Sequence, residues 1–157
     1  MAIFTLVHVV ISLVAIAVGF VVVGAMLCGK NLTGWTAMFL TTTIATNATG
    51  FGFPFERFLP AHGIAIISLV LLAVAVYALY LRKLEGKWRL IYLVTAVASL
   101  YFNVFVLVVQ TFIKFPVIHA LAPNQNEPPF AITQGLVALA FLYLGFVANK
   151  RFRSQLA

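Results

Sequence analysis

Three histidines are the residues of this chain best suited to metal or haem chemistry: His8, His62 and His119. Imidazole is a common ligand of copper, zinc and iron, so three of them on separate elements could form one metal site. Two that face each other across a helical bundle could instead hold a haem. None is paired with another at i, i+4, the spacing that makes a metal motif specific. Two interpretations follow: a shared site for haem, copper or zinc, or three separate interfacial anchors and hydrogen-bond partners.

Amide side chains interrupt the apolar stretches at four positions, namely Asn47, Asn103, Gln110 and Gln134. Buried polar groups in a membrane must find partners, and they usually face the bundle interior or a water-filled cavity. Together with the nearby Phe53 and Phe55, these amides predict a polar ligand pocket. The alternative is a hydrogen-bonded knot, because amides in transmembrane helices often bond across helices without any ligand.

Catalytic chemistry has little support in the sequence. Glu56 and Glu127 would have to converge to act as a general acid–base pair, and their spacing does not bring them together. The centres of the apolar stretches carry no charged residue, which argues against a proton relay, a voltage sensor or an ion-coupled transporter. Cys28 is the only cysteine, so an intramolecular disulfide is impossible.

The elements that must position these residues are apolar helices. The 157 residues are 64% hydrophobic and only 8% charged, whereas about a quarter of residues are charged in a soluble domain. Five charge-free stretches are each long enough to cross a hydrocarbon layer of roughly 30 Å as a helix. They cover residues 1–29, 31–55, 58–81, 90–113 and 128–149. The sequence therefore predicts an all-α integral membrane protein, a five-transmembrane-helix bundle forming a single domain over residues 1–157.

The basic residues fix the predicted orientation. Eight of the ten lie in the first connection, the third connection and the C-terminal tail: Lys30, Arg82, Lys83, Lys87, Arg89, Lys150, Arg151 and Arg153. Cytoplasmic connections carry an excess of Lys and Arg, so the N-terminus is predicted outside and the C-terminus in the cytosol. The same distribution explains the net charge of +7 without nucleic acid, which we exclude as a partner.

Segment 35–49 is the least hydrophobic of the predicted spans. If it were re-entrant, four spans would remain and the N-terminus would move to the inside. Its polar residues nevertheless share one helical face, since Thr36, Thr43, Asn47 and Gly50 are spaced i, i+7, i+11 and i+14. A matching stripe on the fourth span consists of Tyr92, Ser99, Asn103 and Gln110.

The connection over residues 51–60 contains four phenylalanines, two prolines and the Glu56–Arg57 pair. Apolar segments of this kind lie in the membrane interface. It is interpreted as a hydrophobic turn that caps the bundle, with a lid over a pocket as the alternative.

These observations favour a small non-enzymatic membrane module, either an accessory subunit or a binder of an apolar ligand, with a polar pocket in its outer half. One alternative is a haem- or metal-binding redox or metal-handling protein that uses the three outward-facing histidines. A second alternative is a pore or exporter of small molecules.

The expected partners are membrane lipids, and a larger membrane complex or a homo-oligomer is a further expectation. A lipid-facing stripe of small residues such as Ala15 and Gly19 would provide the contact surface for such a partner. The expected location is a bacterial inner (plasma) membrane.

Overall fold

A computed structural model describes residues 2–53 and 60–152, and the described chain is all-helical. The elements in order are α1 (Ala2–Leu27), α2 (Thr33–Gly50), α3 (Pro60–Val76), α4 (Trp88–Lys114), the single turn α5 (Pro116–His119) and α6 (Pro128–Arg151). A π-helical turn, Tyr77–Leu81, continues α3. The predicted all-α class is therefore confirmed.

Four of the helices are long and apolar enough to cross a membrane. They are Ala2–Leu27, His62–Leu81, Trp88–Lys114 and Pro128–Arg151. These four helices fit the integral membrane protein predicted from composition. The remaining long helix, α2, contains seven threonines and Asn47, and these lower its hydropathy below that of the others.

The five long helices form a closed ring. α1 packs on α2, α2 on α3, α3 on α4, α4 on α6 and α6 on α1, and α4 also contacts α1 and α2. Helices adjacent in sequence run antiparallel: Nδ1 of His8, near the start of α1, lies 2.8 Å from the Thr49 hydroxyl at the end of α2. Likewise Phe112 near the end of α4 meets Phe130 at the start of α6, with ring centroids 5.3 Å apart. Because the helices alternate in direction, chemically similar connections gather at the same end.

The two ends of the bundle differ in chemistry. We call one the histidine end, since His8, His62 and His119 lie towards it. The opposite end contains the connections 28–32 and 82–87 and the end of α6, and we call it the basic end. Seven of the eight basic residues assigned to one side from the sequence lie there within the described chain: Lys30, Arg82, Lys83, Lys87, Arg89, Lys150 and Arg151. Arg153 is outside the described residues.

The hydrophobic core is concentrated in the half of the bundle nearer the basic end. Its largest fully buried side chains include Phe39, Tyr92 and Met26. Phe152, just beyond α6, folds its ring against Tyr92, with the centroids 6.1 Å apart. Leu84 is also buried, although its backbone adopts a φ of 60°, a left-handed conformation unfavourable for a leucine. The connection at residues 82–87 is therefore anchored in the core by a side chain.

Ala15 and Gly19 correct one expectation from the sequence. Both are buried inside the chain's own bundle, so they do not form a lipid-facing stripe for a partner. A Cβ built on Gly19 would lie 2.5 Å from Cδ1 of Leu100 and 2.9 Å from Cε2 of Phe39. The small residue is needed because α1 approaches α2 and α4 closely at this point.

This close approach predicts that Gly19→Ala destabilises the bundle by about 1–3 kcal/mol, the usual effect of overpacking a core. Gly24→Ala is the matched control, since a Cβ there meets nothing within 4 Å. That control is expected to be neutral or to stabilise by up to about 1 kcal/mol through helix propensity. Thermal unfolding of both variants in the same detergent measures the difference; equal melting temperatures would contradict the packing at Gly19.

Candidate functional site

Two of the histidines flank the end of α2. His8 contacts the Thr49 hydroxyl, and its ring meets that of Phe53 edge-on with centroids 5.1 Å apart. On the other side of the same segment, the ring of His62 stacks on Phe51 at 5.8 Å. Both imidazoles thus help to hold the exit of α2 in place.

His119 has a different set of contacts. It ends the single turn α5, and its Nδ1 lies 3.0 Å from the carbonyl oxygen of Phe112 on α4. Within residues 2–53 and 60–152, no three His, Cys, Asp or Glu side chains are grouped so that they could hold a metal ion. Metal or haem binding by His8, His62 and His119 therefore stays a prediction, and the contacts described here support separate anchoring roles.

The loop before α6 is ordered by a carboxylate. One oxygen of Glu127 accepts hydrogen bonds from the backbone N–H and the side-chain amide of Asn124, and the other accepts the N–H of Asn126. Loss of hydration would raise the pKa of the Glu127 carboxyl, but its own backbone N–H and these donors together outweigh that effect and lower the pKa below its usual value. The carboxylate is accordingly a structural group of the loop, ionised at neutral pH.

Two of the four predicted pocket amides are joined in one hydrogen-bond network. Asn47 on α2 donates to the carbonyl oxygen of Thr43 at 2.8 Å and to the hydroxyl of Ser68 on α3 at 3.3 Å. Asn103 on α4 donates to the Thr43 hydroxyl at 3.5 Å. We call Thr43, Asn47, Ser68 and Asn103 the amide network; it links α2, α3 and α4 in the half of the bundle nearer the histidine end.

The other members of the predicted pocket are not part of this network. Gln134 on α6 donates to the carbonyl oxygen of Phe105 at 3.2 Å, and its own Oε1 is buried without a partner among the described residues. Gln110 is exposed on the bundle surface. Phe53 packs against His8, and Phe55 lies outside the described residues. The hydrogen bonds thus support the knot interpretation for Asn47 and Asn103.

A second pair of buried polar groups lies closer to the basic end. The hydroxyls of Thr36 on α2 and Tyr92 on α4 interact, but they fall outside hydrogen-bond geometry and have no other partner in the described chain. Both residues belong to the polar stripes visible in the sequence, which therefore do face one another. Ser68 was missed, since a single serine in an apolar helix carries no periodic signal.

A groove between α4 and α6 opens at the surface of the bundle and has a volume of about 450 Å³. Its wall is almost entirely apolar. The lining residues from α4 are Leu90, Leu93, Val94, Val97, Ala98 and Tyr101. Those from α6 are Ala138, Phe141, Leu142, Gly145, Phe146 and Asn149. Nothing in the sequence periodicity indicated this groove, because it depends on how two uniformly apolar helices are spaced.

The groove has a floor, two rims and a definite length. Leu93, Val97 and Phe141 form a buried floor, whereas rim residues such as Leu142 are exposed, 71% in that case. From Leu90 to Tyr101 the chain advances eleven residues, which is about 16 Å along a helix. That length is close to half of the roughly 30 Å hydrocarbon core, or one leaflet.

Two cations stand at the basic end of the groove. Nη1 of Arg89 donates to the carbonyl oxygens of Asn149 and Phe152, which fixes the guanidinium beside the end of α6. The ammonium of Lys150 lies 4.3 Å from the centre of the Phe146 ring, on the rim of the groove. The groove is thus apolar along its length and positively charged at one end.

Comparisons of this chain with protein-family models, curated proteins and solved structures give no match. Its functional interpretation therefore depends on the geometry of the groove and of the amide network.

The amide network predicts a measurable coupling between Asn47 and Ser68. In a double-mutant cycle, Asn47→Ala and Ser68→Ala should each lower the free energy of unfolding. The sum of these two losses should exceed the loss in the double mutant by about 0.6 kcal/mol, the average coupling for such bonds in membranes. A parallel cycle with Thr42→Ala and Ser68→Ala is the control, since Thr42 donates to its own helix at Met38. The coupling energies of both cycles are calculated from unfolding free energies measured in mixed micelles. Coupling as small in the first cycle as in the control would contradict the network.

Proposed function

We propose that this protein is a small non-enzymatic membrane module that binds an elongated apolar ligand in the groove between α4 and α6. The observation that carries the proposal is the groove's size and lining. A volume of about 450 Å³ falls within the roughly 300–1,000 Å³ of ordinary small-molecule sites. Such sites are mostly apolar with a few polar groups that set orientation, and here Tyr101 and Asn149 supply polar groups at the two ends.

Small residues create this groove. Ala98 on α4, with Ala138 and Gly145 on α6, leave space between two helices that otherwise carry large side chains. At Gly145 a Cβ would make only an ordinary 3.8 Å contact with Val97, so the glycine is not required for close packing there. A space that the helices could fill with their own side chains, yet do not, is better explained by an occupant than by packing.

The proposed ligand site differs from the polar pocket expected from the amides. The donors of Asn47 and Asn103 are used within the bundle, which supports a structural role for them. The groove lies in the opposite half, where apolar contacts would dominate binding. The alternative role for the same membrane module is that of an accessory subunit. In that role the exposed apolar face of α6 would contact a partner protein.

We further propose that all five long helices span the membrane of a bacterial cell, with the N-terminus outside and the C-terminus in the cytosol. α1 and α3 both run from the histidine end to the basic end, so α2 must return the chain between them. Its 18 residues extend about 27 Å, close to the hydrocarbon thickness. Neighbouring helices enclose its polar face, which supports a span despite the seven threonines. The charge of the basic end supports the cytosolic assignment.

Topology reporters test the five-span arrangement. A reporter active only in the periplasm and one active only in the cytosol, fused in turn before Met1 and after Ala157, should place the two termini on opposite sides. Reducing the excess of basic residues from eight against two to six against two, through Lys83→Glu and Lys87→Glu, should weaken the preference for one orientation. Both termini on the same side would contradict five spans and leave the four-span arrangement.

Filling the groove tests the ligand. Ala138→Leu adds three carbons to its wall, so the protein purified in mild detergent should lose any co-purifying apolar ligand, as measured by native mass spectrometry. Ala140→Leu is the matched control, because Ala140 is exposed on α6 and does not line the groove. The control should retain ligand as the parent does. Retention of the same ligand by both variants would contradict binding in the groove.

A further inference from the structure

The geometry points to the class of ligand: we propose that the groove binds one acyl chain of an anionic phospholipid, whose phosphate is held by Arg89 and Lys150. This inference rests on the proposed function, since it requires that the groove bind an apolar chain. It adds that the polar part of the ligand is a phosphate, that this group lies at the basic end of the groove, and that it is negatively charged.

The first support is the match between the groove and a single leaflet. Both walls extend eleven residues, from Leu90 to Tyr101 on α4 and from Ala138 to Asn149 on α6. The groove therefore begins at the basic end, where headgroups lie, and runs about 16 Å inwards, to the level of Tyr101 and Ala138. A hydrocarbon chain that enters from the headgroup level would reach the bilayer midplane at that depth.

The second support is the charge at the entrance. Leu90 follows Arg89 and Asn149 precedes Lys150, so each wall of the groove ends beside a cation. The hydrogen bonds from Arg89 to the end of α6 use only Nη1, and a guanidinium has three further N–H donors on Nη2 and Nε. That fork matches the oxygens of a phosphate, and Lys150 adds a second positive charge on the rim.

The third support is the scarcity of competing negative charge. Within the described part of the basic end, Glu85 is the one carboxylate among seven basic residues, and it lies in the connection between α3 and α4. Glu85 lies four residues before Arg89, so it offsets part of the charge on the α4 side, and the described basic end keeps a clear excess of positive residues. The field at the groove entrance is therefore positive and selects anionic over zwitterionic headgroups.

A competition between two phospholipids tests this inference. The full chain in mild detergent is offered equal amounts of phosphatidylglycerol and phosphatidylcholine with identical acyl chains, and native mass spectrometry measures the ratio bound. The parent should retain phosphatidylglycerol in excess. Lys150→Gln should lower that excess about fivefold, the effect of one basic residue near an anionic surface.

Two controls separate a binding effect from a folding effect. Lys83→Gln removes the same charge from the same end of the bundle, but away from the groove, and should leave the ratio unchanged. Lys150→Arg keeps the charge and should preserve the preference. The helical circular dichroism signal of each variant should equal that of the parent.

The outcomes distinguish the two proposals. Equal retention of both phospholipids, lost in Ala138→Leu, would overturn the phosphate site and leave the apolar groove intact. Retention of neither phospholipid by the parent would overturn the inference, and the proposed function would then stand only if another apolar ligand co-purifies with the parent and is lost in Ala138→Leu. A dimer that excludes phospholipid and dissociates in Ala138→Leu would show that a second copy of this chain occupies the groove, which would also overturn the inference.

Discussion

The structure depends on one constraint: the polar side chains that α2 buries need hydrogen-bond partners, because a buried donor or acceptor without one is costly. Thr42 and Thr49 meet this requirement locally by donating to carbonyl oxygens one turn earlier in their own helix. Asn47 cannot do so completely, since its amide has two N–H donors and also reaches Ser68 on α3. This bond ties α2 to α3, and the neighbouring helices α1, α3 and α4 enclose the face of α2 that carries Asn47.

Two kinds of packing divide the bundle. Towards the histidine end, helices are connected by hydrogen bonds and by aromatic contacts such as that of Phe51 with His62. Towards the basic end, they are connected by a close-packed apolar core that includes Phe39 and Leu100. Among the described elements, α6 packs on α4 and α1 alone and leaves most of its surface exposed, so it belongs fully to neither arrangement. The groove occurs along this helix because its contacts within the chain are incomplete.

The spacing of the few polar residues in the apolar helices predicts which helix faces are buried. The spacing of Thr36, Thr43 and Asn47 correctly predicted a buried face of α2, and Tyr92 and Ser99 behave in the same way on α4. Gln110, the last member of that stripe, lies one turn from the helix end and is exposed, because no helix within residues 2–53 and 60–152 covers it there. The spacing of polar residues in the sequence shows which side of a helix they share. Whether each one is buried also depends on how far the neighbouring helices extend along that side.

Other features could not have been read from the sequence for physical reasons. In a lipid environment both sides of a helix are apolar, so hydrophobicity does not separate a packed face from an exposed one. The sequence alone therefore places Ala15 and Gly19 on the lipid side, whereas the structure buries both, with Gly19 packed closely against Phe39 and Leu100. The groove was missed for the same reason, since its position depends on the distance between α4 and α6.

The exposed rims of the groove have a consequence for how occupancy is controlled. Leu142 and Phe146 border an opening along the side of the bundle, so a chain bound in the groove would enter from the surrounding bilayer without crossing water. Occupancy would then be governed by the mole fraction of the ligand among the other lipids, and its aqueous solubility would have no influence. Every lipid of the leaflet would be a competitor at very high local abundance. Modest selectivity at the entrance would thus translate directly into a response to membrane composition.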